Sequence, residues 1–182
     1  PEPQPVNPHD PERLAGSSSN GSGVVVTNGE VDMALGGDQG GSIRLPASWS
    51  GCYGLKPTHG LVPYTGIFPI EKTIDHVGPM ARTAEDCARM LEVLAGPDGL
   101  DPRQYDVQVG DYVGSLAEDL SGLRIGVLTE GFGIPGVSEP DVDDAVREGI
   151  AVLERAGAST LEVSVPMHRD AMALWSAIAF EG

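Results

Sequence analysis

Cysteine is scarce in this chain of 182 residues: only Cys52 and Cys87 are present, in dissimilar surroundings. Two thiols cannot build a disulfide framework, and without histidines at matching spacing they cannot hold zinc. The four histidines (His9, His59, His76 and His168) are scattered singly, so no metal site is expected. Lysine and arginine together number 11 against 27 acids, giving a formal charge of −16. A phosphate-backbone binder needs clustered basic residues, so no nucleic-acid partner is expected. No run approaches the roughly 20 apolar residues that span a bilayer. No basic start followed by an apolar centre marks a signal peptide. A cytoplasmic protein without a membrane partner is the expectation. What remains is a globular composition, 40% hydrophobic and 21% charged, large enough for a sizeable core.

The chain opens on Pro-Glu-Pro-Gln-Pro and closes inside the apolar "ALWSAIAFEG". Both ends read as cuts, so an internal piece of a longer polypeptide is expected. Residues 1 to 14 carry five prolines and read as an extended loop. Residues 22 to 27 read as a short helix or a buried strand, and "VDMAL" (31 to 35) alternates as a buried strand. Residues 51 to 81, rich in Gly and Pro, read as irregular packed loops. "RTAEDCARMLEVLAG" is a helix with Thr83 as its cap, acids in its first turn and Gly96-Pro97 as its stop. Its small or apolar face comprises Ala84, Cys87, Ala88, Leu91 and Leu94. An acidic connecting loop follows, over 101 to 122. "LRIGVLTE" reads as a buried strand, 141 to 158 as an amphipathic helix, 161 to 166 as a second strand, and a further helix starts near Arg169. Strand, helix and strand of these lengths form a parallel crossover, so the class is α/β.

The densest glycine stretch is "GGDQGGSIRLPAS", 36 to 48. Glycines allow backbone N–H groups to approach a reacting oxygen closely, and Ser42 sits at their end. Ser17, Ser18 and Ser19 lie just upstream, with Ser18 24 residues before Ser42. A serine nucleophile needs an adjacent base or relay, which a second serine supplies. A flexible turn before a serine is the plainer reading of the same residues.

Residues 16 to 47, "GSSSNGSGVVVTNGEVDMALGGDQGGSIRLPA", resemble the signature segment of the amidase signature family. "GCYGLKPTHGLVPYTGIFPIEKTIDHVGPMARTAEDCARML" continues the resemblance without a gap, and "GLRIGVLTEGFG" and "PDVDDAVR" extend it. The likeness is strongest to the bacterial amidases that accompany nitrile hydratases. It implies a mixed-sheet α/β core flanked by helices, of which residues 1 to 182 would be part of one amidase domain. It also implies a Ser–cis-Ser–Lys triad, a small carboxamide substrate, and neither metal nor cofactor. By motif position Ser42 is the nucleophile and Ser18 the cis-Ser relay. The amides of Gln39, Gly40, Gly41 and Ser42 are the oxyanion hole, and Asp38 and Arg44 are loop supports. Ser17 stands where the family usually has Gly, Asn20 where Gly or Ser is usual, and Thr27 where a small residue is usual. The family's lysine precedes the serine-rich segment, whereas Lys56 and Lys72 both follow Ser42. Residues 1 to 182 by themselves are therefore expected to be inactive. The same motif serves amidase subunits of tRNA-dependent amidotransferases, and a non-catalytic relic of the fold is a third reading. The resemblance leaves open a homodimer for the full protein.

Several residues resist a catalytic role at this level. Asp75 and His76 are adjacent and, on an extended chain, point to opposite sides. Cys52 has no basic neighbour to activate it. Lys56 lies in a motif that is not the family's base, and Lys72 reads as a loop cation. Tyr64 and Phe68, in "LVPYTGIFP", are candidates to line an acyl pocket.

Overall fold

The serine-rich segment runs straight into a helix, α1 (Asn20–Thr27), in the computed structural model, which describes residues 4 to 116 and 119 to 181. Three valines at its end supply its apolar contacts: Val24 and Val26 are buried. After the Asn28-Gly29 turn comes β1 (Met33–Asp38). Its inward side was expected to be apolar, but Leu35 is 46% exposed and the buried positions are Gly36 and Asp38. The reason is space. A Cβ on Gly36 would lie 2.9 Å from both Ile43 Cγ1 and Ser19 Oγ and 3.1 Å from Met80 Sδ. Only glycine lets α1 and the following loop close over this strand.

Within "SIRLPAS" the chain forms α2 (Arg44–Ser50), which ends at Gly51 in the left-handed region. Pro46 fits because it sits in the first turn, where its missing N–H costs nothing. The region expected to be all loop, 51 to 81, contains two strands, β2 (Tyr53–Gly54) and β3 (His76–Ala81). Strand β3 is the centre of an antiparallel sheet of order β1-β3-β2, with Asp38 opposite His76 and Met33 opposite Ala81. Its sequence, with Gly78 and Pro79 in mid-run, conceals it, because proline normally argues against a central strand. Here the short β2 pairs only with Met80 and Ala81.

Helix α3 (Ala84–Leu94) follows as expected, with Thr83 Oγ1 accepting the Asp86 N–H at 3.0 Å. It buries Cys87, Ala88 and Leu91. One core cluster unites Val62, Tyr64, Val77 and Leu91, and a second unites Ile43, Ala47 and Met80. Full burial of a side chain such as Ile43 or Met80 contributes roughly 1.5–3 kcal/mol. The proline-rich start is tied down without regular structure. Buried Asn7 donates from Nδ2 to the carbonyls of Leu14 (2.8 Å) and Trp49 (3.0 Å), and Ser50 Oγ donates to Ala15 O at 3.2 Å.

The chain divides into two compact units, Pro1–Leu116 with Ile178–Gly182, and Ala117–Ala177. The second holds β4 (Arg124–Leu128), α4 (Pro140–Arg155) and β5 (Ser159–Val163), with β4 and β5 parallel and Ile125 opposite Thr160. Helix α5 (Ala171–Glu181) is the last element. The expected crossover is present, but β4 is at most half-buried and α4 buries no side chain. A two-stranded ladder offers too little surface to enclose an apolar face. Helix α4 begins with Pro140 at its first turn, beside Asp141 and Asp143, and carries Arg155 at its end, all matching the helix dipole.

Candidate active site

Asp38 closes β1 with a carboxylate that is 0% exposed. Everything around it is a donor. Gly41 N–H reaches Oδ1 at 2.7 Å, Ile43 N–H reaches Oδ2 at 3.1 Å, and the Arg44 guanidinium grips both oxygens from Nη2 and Nε at 2.9 Å each. Burial alone would raise this carboxyl's pKa, but Arg44 and the two amides outweigh it and hold the group below its ordinary value. The loop 39 to 43 is thus wrapped around one buried charge. At Gly41 the backbone takes φ +133°, and a Cβ there would lie 2.9 Å from Leu45 Cδ1, so the bend requires glycine.

This wrapping revises one expectation. Four amides, of Gln39, Gly40, Gly41 and Ser42, were expected to face an oxyanion, but the Gly41 N–H is committed to Asp38. A donor pointing at a buried carboxylate cannot also point at a substrate. The amides of Gln39, Gly40 and Ser42 are the ones not bound to Asp38.

The serine-rich segment meets the loop directly. Ser19 N–H donates to Ser42 O at 3.2 Å. Ser19 Oγ accepts from Gly37 N–H (3.2 Å) and donates to Gly37 O (3.3 Å), and Ser22 Oγ donates to Leu35 O at 2.7 Å. The peptide bond between Ser17 and Ser18 is cis, as the resemblance implies, with serine rather than glycine on its near side. Ser18 is exposed and Ser42 half-buried. Ser19 was not singled out in the sequence, although it is the residue that stitches 17 to 19 onto β1 and the Ser42 loop. Its only signal was membership of the serine run.

Asp75 is buried and accepts the N–H groups of Ile70 (2.9 Å) and Glu71 (3.1 Å), while His76 Nδ1 faces Ile74 O at 2.7 Å. The carboxylate therefore does not orient the imidazole. His76 instead meets His59 edge to face at 5.4 Å. Burial pushes the Cys52 thiol up, away from reactivity. Lys56 donates from Nζ to Pro57 O at 2.9 Å; burial and the Arg44 charge lower its pKa. Among the described residues no group of His, Cys, Asp and Glu is arranged to hold a metal.

A cavity of about 240 Å³ is lined by Tyr64, Ile67, Lys72, Leu100, Asp101 and Arg103, among others. Phe68, expected near a pocket, is 89% exposed and does not line it; Tyr64 does. The segment expected to be a connecting loop supplies the cavity's buried ion pair. Arg103 donates from Nη2 to Asp101 Oδ2 at 2.7 Å and from Nε to Oδ1 at 3.0 Å, and Tyr64 N–H reaches Asp101 Oδ2 at 2.8 Å. Composition marked this stretch as an acidic connecting loop, which hid a carboxylate paired two residues along.

Known proteins resemble this chain in sequence and in fold. The Amidase family model matches residues 3–182. An enantioselective amidase from Rhodococcus rhodochrous is 58% identical over 99% of this chain and 35% of its own length. A glutamyl-tRNA(Gln) amidotransferase subunit from Roseiflexus castenholzii is 46% identical over 97% of this chain and 36% of its own. Among solved structures, the corresponding amidotransferase subunit of Thermotoga maritima superposes with a TM-score of 0.90 at 35% identity, covering 97% of this chain and 38% of that one. The native peptide amidase of Stenotrophomonas maltophilia gives 0.77 at 34% identity, over 96% and 36%. The chain thus spans about a third of the length of the relatives it matches. No helix among the described residues is long and apolar enough to cross a membrane. With a whole-length family match and this likeness in fold, the chain belongs to the amidase family.

Proposed function

We propose that the protein hydrolyses small carboxamides to a carboxylic acid and ammonia through an acyl-enzyme on Ser42. The observation that carries this reading is the loop wrapped on Asp38 and joined to the serine-rich segment through the Ser19–Ser42 backbone bond. Such a loop holds its amide dipoles fixed before any substrate arrives, as stabilisation of a developing oxyanion requires. In the proposed reaction Ser42 Oγ attacks the amide carbon while its proton passes to Ser18. From there it goes to a lysine base, which the family pattern places ahead of the serine-rich segment. The tetrahedral oxyanion is held by the amides of Gln39, Gly40 and Ser42. The C–N bond breaks, nitrogen takes a proton and leaves as ammonia, and water then releases the acid from the Ser42 ester. Asp38 and Arg44 keep the loop in shape and exchange no proton with substrate.

Ammonia release from simple primary amides by the intact protein tests this. Wild type is expected to turn over, Ser42→Ala to lose at least about a thousandfold in kcat, and Ser18→Ala to lose nearly as much. Turnover retained by Ser42→Ala overturns the assignment. A second reading, an amidotransferase subunit that passes its ammonia on, is favoured by the 0.90 superposition on such a chain. Preference for glutamine, with activity raised by a partner subunit, would select it.

A further inference from the structure

The Ser42 loop has two ends, and only one is anchored by Asp38. At the other end Gln39 departs from β1 just after the buried carboxylate. Its side chain lies within interacting range of the Tyr64 hydroxyl. A Cβ placed on Gly37 would lie 3.8 Å from Gln39 Nε2 and 4.0 Å from Tyr64 Oη, so both groups border the same space beside the end of β1. Tyr64 is itself immobilised from three sides. Its N–H is held by Asp101, its ring lies under the Arg103 guanidinium at 4.8 Å, and its side chain packs with Val62, Val77 and Leu91. Arg103 is braced in turn, donating from Nη1 to Asp75 O at 3.0 Å. Burial and the Asp75 charge push the Tyr64 phenol above its ordinary pKa, so the hydroxyl keeps its proton at neutral pH.

We infer that Tyr64 is a positioning residue for the oxyanion loop, fixing Gln39 from the cavity side through its hydroxyl while the Asp101–Arg103 pair fixes Tyr64. The inference rests on the reading of Ser42 as nucleophile, which gives the amides of 39, 40 and 42 their role. An oxyanion donor contributes only when it is already aimed at the transition state, and loss of one costs about 10²–10³ in kcat. Loosening the loop at one end is therefore expected to cost less than removing a donor, and to act on kcat rather than on substrate binding.

The test uses the intact protein with Tyr64→Phe, Gln39→Leu and the double variant. Tyr64→Phe keeps the ring under Arg103 and the backbone bond to Asp101, so folding is preserved. It is expected to lower kcat by about ten- to a hundredfold with KM within about twofold. Gln39→Leu is expected to match it, and the double variant to lose no more than either, because both remove one link. Hydrogen exchange of the amides at 39 to 42 is expected to quicken in Tyr64→Phe while α3 exchanges as in wild type. Wild-type kcat in Tyr64→Phe, additive losses in the double variant, or unchanged exchange over 39 to 42 would each overturn the inference. Exchange needs no turnover. An inactive wild-type protein would therefore count against the Ser42 reading alone, and the exchange data would still decide the role of Tyr64.

Discussion

The serine–glycine region, 15 to 54, and the β4-α4-β5 region are built on opposite plans. The first buries Val24, Val26, Ile43 and Ala47 and also ties its backbone to buried or half-buried polar side chains: Asp38, Ser19, Ser22 and Ser50. The second follows amphipathic patterning, and no residue of α4 is buried. Its one buried acid, Glu130, accepts from Ser164 Oγ at 2.5 Å and from Val165 N–H at 3.0 Å. The lesson concerns tolerance. Where side chains stay at most half-buried, one can be exchanged cheaply; where a single acceptor serves several donors, no neighbour can take over.

The sharpest way to break that contrast is Asp38→Asn. It leaves Gly41 and Ile43 short of an acceptor and Arg44 without its counter-charge. A loss of about 3 kcal/mol is expected, at the lower end for a broken buried pair because Arg44 is half-exposed. Urea unfolding measures it, and turnover should fall with it. Gly36→Ala comes next, at about 1–3 kcal/mol, because the added methyl meets Ile43, Ser19 and Met80 with nowhere to go.

Acid sharpens the comparison further. Asp38 has a folded pKa below its unfolded value of about 3.9. Its contribution is complete above that value and is lost as pH falls through the folded one. The Tm gap between wild type and Asp38→Asn should therefore hold from pH 7 to about 5 and narrow below about 4. Glu130 behaves likewise in the other region, where Ser164 and the Val165 amide bring it down to about 2. Glu130→Gln should lower Tm less than Asp38→Asn does, with the gap closing over the same acid range. Smallest of all, Val146→Ala on the exposed surface of α4 should change stability by less than about 0.5 kcal/mol in urea. A cost there as large as at Gly36 would erase the distinction between the two plans.

The difference also explains what could be read in advance. Helices α3 and α4 and strands β4 and β5 announce themselves by periodicity and caps, since patterning alone places them. Strand β3 did not, because Gly78 and Pro79 imitate a loop and only its neighbours show that Pro79 lies where no second ladder bond is asked of it. Helix α2 stayed hidden behind Pro46, which is harmless in a first turn. The orientation of β1 reversed the simplest alternation, because glycine and aspartate took the inner side where close approach mattered more than apolar area. At the candidate site, the loop-holding pair Asp38 and Arg44 was legible from motif position, and the roles of Ser18 and Ser42 are proposed from it. Ser19, Asp101 and Arg103 were not, as their partners lie 18 or more residues away or belong to a stretch that composition marks as surface.

The sequence by itself determined the α/β class, the capped helix α3, the crossover of β4, α4 and β5, and the serines grouped around a glycine bend. Those features depend on local propensity and on the spacing of a few residues. Tertiary structure alone decided that Gly41 serves Asp38, that Ser19 joins two distant segments, and that Tyr64 lies within reach of Gln39 above an ion pair. Each of these is a choice among competing hydrogen-bond partners. Such choices are settled only when folding removes water and brings remote donors to one acceptor.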